Sequence, residues 1–176
     1  MSPKSHKRDA VLGGGSWGTA LASIMGSHGY DTLLWMRDEA LAKHLNVAHR
    51  NPAYLGDAAI DERVRATTDL IEAAEHAEVL IVAIPSKHFR GVMTQVGAHL
   101  SGDQIVISAT KGLESDGLKR MSQVIADETC VRKIGAISGP NLAREIVAGQ
   151  PAATVVASAF ECVIQKVERM LAGPTF

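Results

Sequence analysis

Residues 10–21, "AVLGGGSWGTAL", set three glycines at the spacing Gly13-x-Gly15-x-x-Gly18 between a short apolar run and a helical pattern. A turn alone needs fewer glycines. This spacing suits backbone that something large and negatively charged approaches closely. Gly13 would make the tight turn, Gly15 would admit a pyrophosphate to the main chain, and Gly18 would let the helix lie near the strand. A helix opening at Trp17 adds unpaired N–H groups and the positive end of its dipole. The spacing by itself also describes a glycine-rich turn with no ligand; its place between a strand and a helix favours dinucleotide binding.

Further positions could complete such a site. Arg37 and Asp38 follow the second apolar run, where an acid would hold the ribose of NAD and an arginine the extra phosphate of NADP. Asp38 also reads as a helix cap, and Arg37 as a guanidinium that stacks on adenine or pairs with a phosphate. NAD and NADP both stay open. Lys111 follows an apolar run directly and precedes Gly112. It can hold a substrate phosphate or hydroxyl as a point charge, or stand as a solvated loop lysine. "SGPN", residues 138–141, offers N–H groups to an anion, or is a turn with Asn141 as a helix cap. His44, His49, His76, His88 and His99 are scattered and suggest neither ligand nor base. No Ser-His-Asp order or metal-ligating cluster appears.

Hydrophobic periodicity supplies the elements that must position these residues. It predicts strands at 9–14, 31–36, 79–84, 104–110, 134–138 and 152–158, and helices at 17–28, 38–48, 69–77, 87–99, 117–128, 141–149 and 160–173. Asp69 is the expected cap of its helix. The stretch from 49 to 68 is looser, with Asn51-Pro52 and Gly56-Asp57 as turn signals. "VLIVAI" (79–84) is the most apolar strand, expected to be buried on both faces. The alternation predicts an α/β fold, a doubly wound and mostly parallel sheet in one domain, with the glycine turn at its switch point.

Composition narrows the partners. A chain of 176 residues, 46% hydrophobic and 21% charged, builds a core without disulfide or metal staples. Its 18 basic and 19 acidic residues, net charge −1, give no basic stripe for nucleic acid. Cys130 and Cys162 fit neither a disulfide framework nor a zinc spacing, and read as small core residues in a reducing compartment. The N-terminal "MSPKSHKRD" is polar and leads into no signal-peptide segment. The longest apolar run is too short to cross a bilayer. No transmembrane segment and a cytoplasmic location are expected.

Taken in order, "GGGSWGTALA", "LLWMRD", "RNPAYL", "IPSKHFR", "KGLE", "MSQVI" and "SGPNLAREI" resemble the cofactor-binding half of NAD(P)-dependent glycerol-3-phosphate dehydrogenases, from about Ala10 to Ser158. No single motif is decisive; the ordered set is specific. The resemblance implies a Rossmann-type domain that takes NAD or NADP. The implied reaction interconverts sn-glycerol 3-phosphate and dihydroxyacetone phosphate by hydride transfer, within glycerophospholipid metabolism. It implies cofactor contacts from Gly13, Gly15, Ser16, Trp17, Gly18, Arg37, Phe89, Lys111 and Ala143. Lys111 would also touch substrate as the catalytic residue, beside Gly139 and Asn141. Phe89 reads otherwise as a core residue on a helix face.

Two positions depart from the family's usual residues. Gly14 stands where alanine is frequent, a change expected to be harmless. Asn141 stands where serine is frequent, and either can cap a helix and hydrogen-bond a phosphate. Members of the family also carry a helical domain with a lysine acid/base. The resemblance therefore implies that residues 1–176 are the dinucleotide-binding domain of a longer enzyme, inactive alone, with a homodimer as one arrangement of the complete protein. A ketopantoate reductase is the related alternative, against which "KGLE" and "SGPNLAREI" argue. A stand-alone dinucleotide sensor is the non-catalytic one.

Overall fold

The computed structural model describes residues 8–176, so the polar N-terminal stretch lies outside the described residues except for Arg8 and Asp9. Strands β1 (Arg8–Leu12), β2 (Asp31–Trp35), β3 (Val64–Thr67), β4 (Val79–Val82), β5 (Ile105–Ser108), β6 (Lys133–Ser138) and β7 (Val155–Ser158) form one sheet in the order β3-β2-β1-β4-β5-β6-β7. Every neighbouring pair is parallel except β6 and β7. Leu12 is in register with Trp35 on one side and Val82 on the other, so β1 and β4 end level. The chain leaves β1 toward β2 and later resumes at β4 on the opposite flank, which makes the end of β1 the switch point.

The helices are α1 (Ser16–Ser27), α2 (Glu39–Ala48), α3 (Pro52–Leu55), α4 (Leu70–His76), α5 (Ser86–Gly97), α6 (Met121–Glu128), α7 (Ala143–Val147) and α8 (Glu161–Leu171). Successive strand side chains point to opposite faces. Val11, Ile81 and Ile107 meet α1, α2 and α8, while Leu12, Leu80 and Val106 meet α4, α5 and α6. All of β4 is buried, as an apolar run in a parallel sheet requires. Each such side chain withdrawn from water contributes about 1.5–3 kcal/mol before entropy is counted. Polar ties fix the edges. Asp9, fully buried, accepts from Val79 N at 2.8 Å, and Asp69 caps α4 by accepting from Ile71 N and Glu72 N.

Several expectations are corrected. The looser stretch holds α3, a single turn with Pro52 at its start, and the edge strand β3. Only Val64 and Ala66 of β3 turn inward, and four residues carry too little alternation to read as a strand. The helix expected from 117 begins at Met121, because Gly117 and the left-handed Leu118 (φ 50°) interrupt the backbone before it. The helix expected from 141 starts at Ala143, and Leu142 rather than Asn141 takes the cap position. β7 runs antiparallel, which leaves the sheet mostly parallel as expected. Both cysteines are exposed rather than core. Cys130 lies in the α6–β6 connection with Sγ donating to Leu100 O, and Cys162 falls outside the face of α8 that buries Val163, Val167 and Met170.

Candidate functional site

The glycines divide their work sterically. Gly13 has φ 128°, and a Cβ there would lie 2.4 Å from Ala83 O; its N–H donates to Trp35 O at 3.0 Å. A Cβ on Gly18 would lie 1.9 Å from Gly13 O, so α1 can approach the turn only without a side chain. Gly15, at φ −77°, faces open space, with nothing within 4 Å of an added Cβ. Gly14 makes room for the buried Met36, whose Cβ would lie 2.5 Å from a Cβ added at Gly14, so Met36 fills the volume an alanine there would need.

Asn51, fully buried, holds the turn from behind by donating Nδ2 to Gly14 O (3.0 Å) and Thr19 Oγ1 (2.8 Å). In a planar trans peptide the N–H opposes the C=O, so pinning the Gly14 carbonyl to Asn51 turns the Gly15 N–H away from it. In the sequence alone Asn51 reads as a turn signal beside Pro52.

The helix start is bare. Gly15 at the cap makes no side-chain hydrogen bond, and the first turn of α1 carries no acid. The N–H groups of Ser16, Trp17 and Gly18 precede the first intrahelical bond, Thr19 N to Gly15 O. An uncompensated helix end with an open glycine before it fits an anion such as a pyrophosphate. Ser16 Oγ donates to Tyr54 O at 3.2 Å, and Trp17 Nε1 donates to Ala109 O at 3.2 Å, carrying the indole across to the end of β5.

Beside that helix end, a cleft of about 350 Å³ opens over the ends of β5 and β6. It brings together Trp17, Lys111, Gly139 and Asn141. Lys111 is exposed and forms no ion pair or hydrogen bond among the described residues. The root of its loop is held by Thr110 Oγ1, 3.1 Å from Val82 O and 2.9 Å from Ile84 O. Asn141 is 7% exposed; its Nδ2 donates to Thr154 Oγ1 (3.1 Å), which donates to Ser138 O (3.1 Å). That chain leaves Asn141 Oδ1 as the atom without a partner. An unpaired acceptor suits a ligand hydroxyl or amide rather than the phosphate first expected for this position.

Other expected residues stand apart from the cleft. Arg37 is exposed just past β2, with no partner among the described residues. Asp38 accepts from Leu41 N at 2.9 Å and so caps α2. Ala143 opens α7, half-buried against the core layer of α1. Phe89 is fully buried between α5 and the sheet and offers no surface to a ligand, as the core reading of it has it. Among the described residues no histidine lines the cleft. A larger groove, about 600 Å³, lies at the amino-terminal edge near Arg8, Glu78, Ser101 and Lys133. Open parallel sheets bind ligands at the carboxyl edge, so the smaller cleft is the candidate. Among the described residues no metal-holding group and no helix long and apolar enough to cross a membrane occurs.

The profile of the NAD-dependent glycerol-3-phosphate dehydrogenase N-terminus matches residues 9–163. The chain belongs to that family. The Teredinibacter turnerae glycerol-3-phosphate dehydrogenase (NAD(P)+) is 40% identical over 169 residues, 96% of this chain and 50% of its own length. The crystal structure of glycerol-3-phosphate dehydrogenase from Coxiella burnetii matches with TM-score 0.90 at 30% identity, covering 97% of this chain and 53% of that one. The chain therefore spans about half the length of the relatives it matches. A ketopantoate reductase from Ralstonia eutropha shares the fold alone, with TM-score 0.59 at 14% identity over 73% of this chain and 40% of its own. The motif resemblance and the doubly wound fold are both confirmed.

The glycine geometry predicts a split in stability. Gly15→Ala should stay within about 1 kcal/mol of the parent, since its φ suits alanine and space is open. Gly18→Ala should cost about 2 kcal/mol or more, because a Cβ is driven into a carbonyl. Denaturant midpoints check this, and equal losses at the two positions would contradict it.

Proposed function

We propose that residues 1–176 are the dinucleotide-binding domain of a dehydrogenase interconverting sn-glycerol 3-phosphate and dihydroxyacetone phosphate, with the helical substrate domain supplied by further chain. The observation that carries this is the bare, positive end of α1, under an open Gly15, beside a cleft that holds the unpaired Lys111. When bound, the nicotinamide cofactor supplies the hydride chemistry. The first-turn N–H groups of α1 and the turn backbone hold the pyrophosphate. Trp17 walls the cleft between that seat and Lys111.

The Lys111 ammonium polarises the substrate's C2 oxygen and balances its charge in the transition state. Asn141 Oδ1 accepts from a hydroxyl or amide, and Gly139 lets the chain pack there, since a Cβ on it would lie 2.7 Å from Ala153 O and 3.0 Å from Asn141 Nδ2. Among the described residues the lining of the cleft includes neither a carboxylate nor an imidazole. The proton of the substrate hydroxyl is therefore assigned to a group from the remaining half of the enzyme. A small-molecule substrate, a cytoplasmic location and a place in glycerophospholipid metabolism go with this reading, and a homodimer of the complete enzyme is compatible with it. The near-neutral charge supports a small ligand over nucleic acid.

Arg37 and Asp38 bear on cofactor choice. The carboxylate of Asp38 is occupied as a cap, while the guanidinium of Arg37 is free for a 2′-phosphate. NADPH should bind at least as well as NADH, and Arg37→Ala should weaken NADPH by about tenfold and NADH less, on the scale of one charge-assisted contact. Equal losses in a fluorescence titration would reduce Arg37 to adenine stacking.

Lys111 tests the chemistry itself. In the enzyme completed with its helical half, Lys111→Ala should lower kcat/KM by roughly 10²-fold or more, with a much smaller loss of NADH affinity. Lys111→Arg should restore little, since a planar fork replaces a compact ammonium. Near-parent kinetics in Lys111→Ala would end the catalytic assignment.

A further inference from the structure

Arg90 lies on α5, outside the lining of the cleft, and gathers three carboxylates. Its Nε and Nη2 grip Glu114 side-on, with Nη2 to Oε2 at 3.0 Å. Nη2 also reaches Asp127 Oδ2 at 3.0 Å, and Nη1 reaches Glu128 Oε1. Asp127 and Glu128 end α6, but Glu114 belongs to the β5–α6 loop that carries Lys111. Lys119 of the same loop donates to Asp127 Oδ2 at 2.6 Å. The loop also closes on itself, through Glu114 N to Lys119 O (2.9 Å) and a bridge between Leu113 and Arg120.

Little else holds this loop down. Leu113 and Leu118 are 50% and 72% exposed, so they contribute little burial. Gly112 (φ 100°) and Leu118 (φ 50°) are both left-handed, a conformation that a leucine adopts only when its surroundings impose it. The tie to Arg90 joins the loop to α5 by a two-atom grip on one carboxylate, and Lys119 joins it to α6. A bidentate guanidinium–carboxylate pair fixes orientation as well as distance.

We infer that Arg90 is a positioning residue that acts through Glu114, holding the β5–α6 loop so that Lys111 stands at the cleft where the nicotinamide end of the cofactor belongs. The inference rests on the cofactor reading proposed above. Hydrogen bonding to Arg90 holds the Glu114 carboxyl below its ordinary range, Lys119 and Arg90 do so for Asp127, and Thr94 and Arg90 for Glu128. With folded values lowered, the stabilisation is complete above the ordinary carboxylate range and is lost only as pH falls through the lowered values. The tie is therefore intact at neutral pH, and a neutralising substitution isolates it.

Glu114→Gln removes the charge and keeps the shape. Glu128→Gln does the same on the other arm of the guanidinium without touching the loop. For the 176-residue chain and both variants, amide hydrogen exchange over residues 111–119 is measured beside the affinities for NADH and for ADP-ribose, which lacks nicotinamide. Glu114→Gln should exchange about tenfold faster there and weaken NADH roughly fivefold relative to ADP-ribose, while Glu128→Gln stays near the parent. Arg90→Lys should follow Glu114→Gln, because an ammonium cannot reproduce the fork. Unchanged exchange in Glu114→Gln overturns the inference. So does an equal effect from Glu128→Gln, which would make the cluster a general brace of α5 and α6. A parent chain that binds neither nucleotide would sink the cofactor reading instead, and the exchange measurement still decides the tie.

Discussion

The site depends on one close approach: α1 begins so near the end of β1 that a single Cβ at Gly18 would sit 1.9 Å from the carbonyl of Gly13. That contact aims the helix start at the switch point of the sheet. It also brings Trp17 within reach of Ala109 O at the end of β5 and leaves Gly15 facing open space. Asn51 completes the constraint by holding the Gly14 carbonyl from inside. The turn is thus shaped from both sides by packing and hydrogen bonding, and its outer face is left without protein partners.

Strand order converts this local geometry into a linear site. Arg37 follows β2, the glycine turn follows β1, Lys111 follows β5, and Gly139 and Asn141 follow β6. With β4 between β1 and β5, the span from β2 to β5 is about 14 Å at ordinary strand spacing. On the proposed reading, adenosine, pyrophosphate, nicotinamide and substrate lie in that order along the carboxyl edge. Two side-chain cations then flank a helix dipole, an arrangement suited to an elongated ligand with its charge in the middle and at its ends. The backbone donors at the start of α1 are held by the turn before any ligand arrives, the condition under which fixed dipoles act most strongly.

Much of this could be read from residue order. The strands around Val11, Leu34 and Ile81 are apolar runs bounded by turns, and the glycine spacing matched its steric roles at Gly13, Gly15 and Gly18. What escaped was structure without a repeating pattern. β3 has four residues and one inward alternation, Val64 and Ala66 around Arg65, too few for a periodic signal. The loop before α6 contains leucines that look helical, yet Leu118 is left-handed and exposed. Its order comes from charges on two other elements, which no local window shows. Asn51 and Thr154 act across 37 and 13 residues of chain, through contacts visible only once the fold is formed. Phe89 shows the reverse case, where the plain expectation of a buried helix face describes its position better than the role implied by resemblance.

The most direct test of where the ligand sits is an NMR titration of NADPH into the chain, following each backbone amide. The largest saturable shifts are expected at Gly15, Ser16 and Trp17, with smaller ones at Lys111 and Gly139 and none at Ser101 and Lys133 in the amino-edge groove. Saturable shifts centred on that groove, or none at the start of α1, would contradict the assignment of the helix end as the dinucleotide seat.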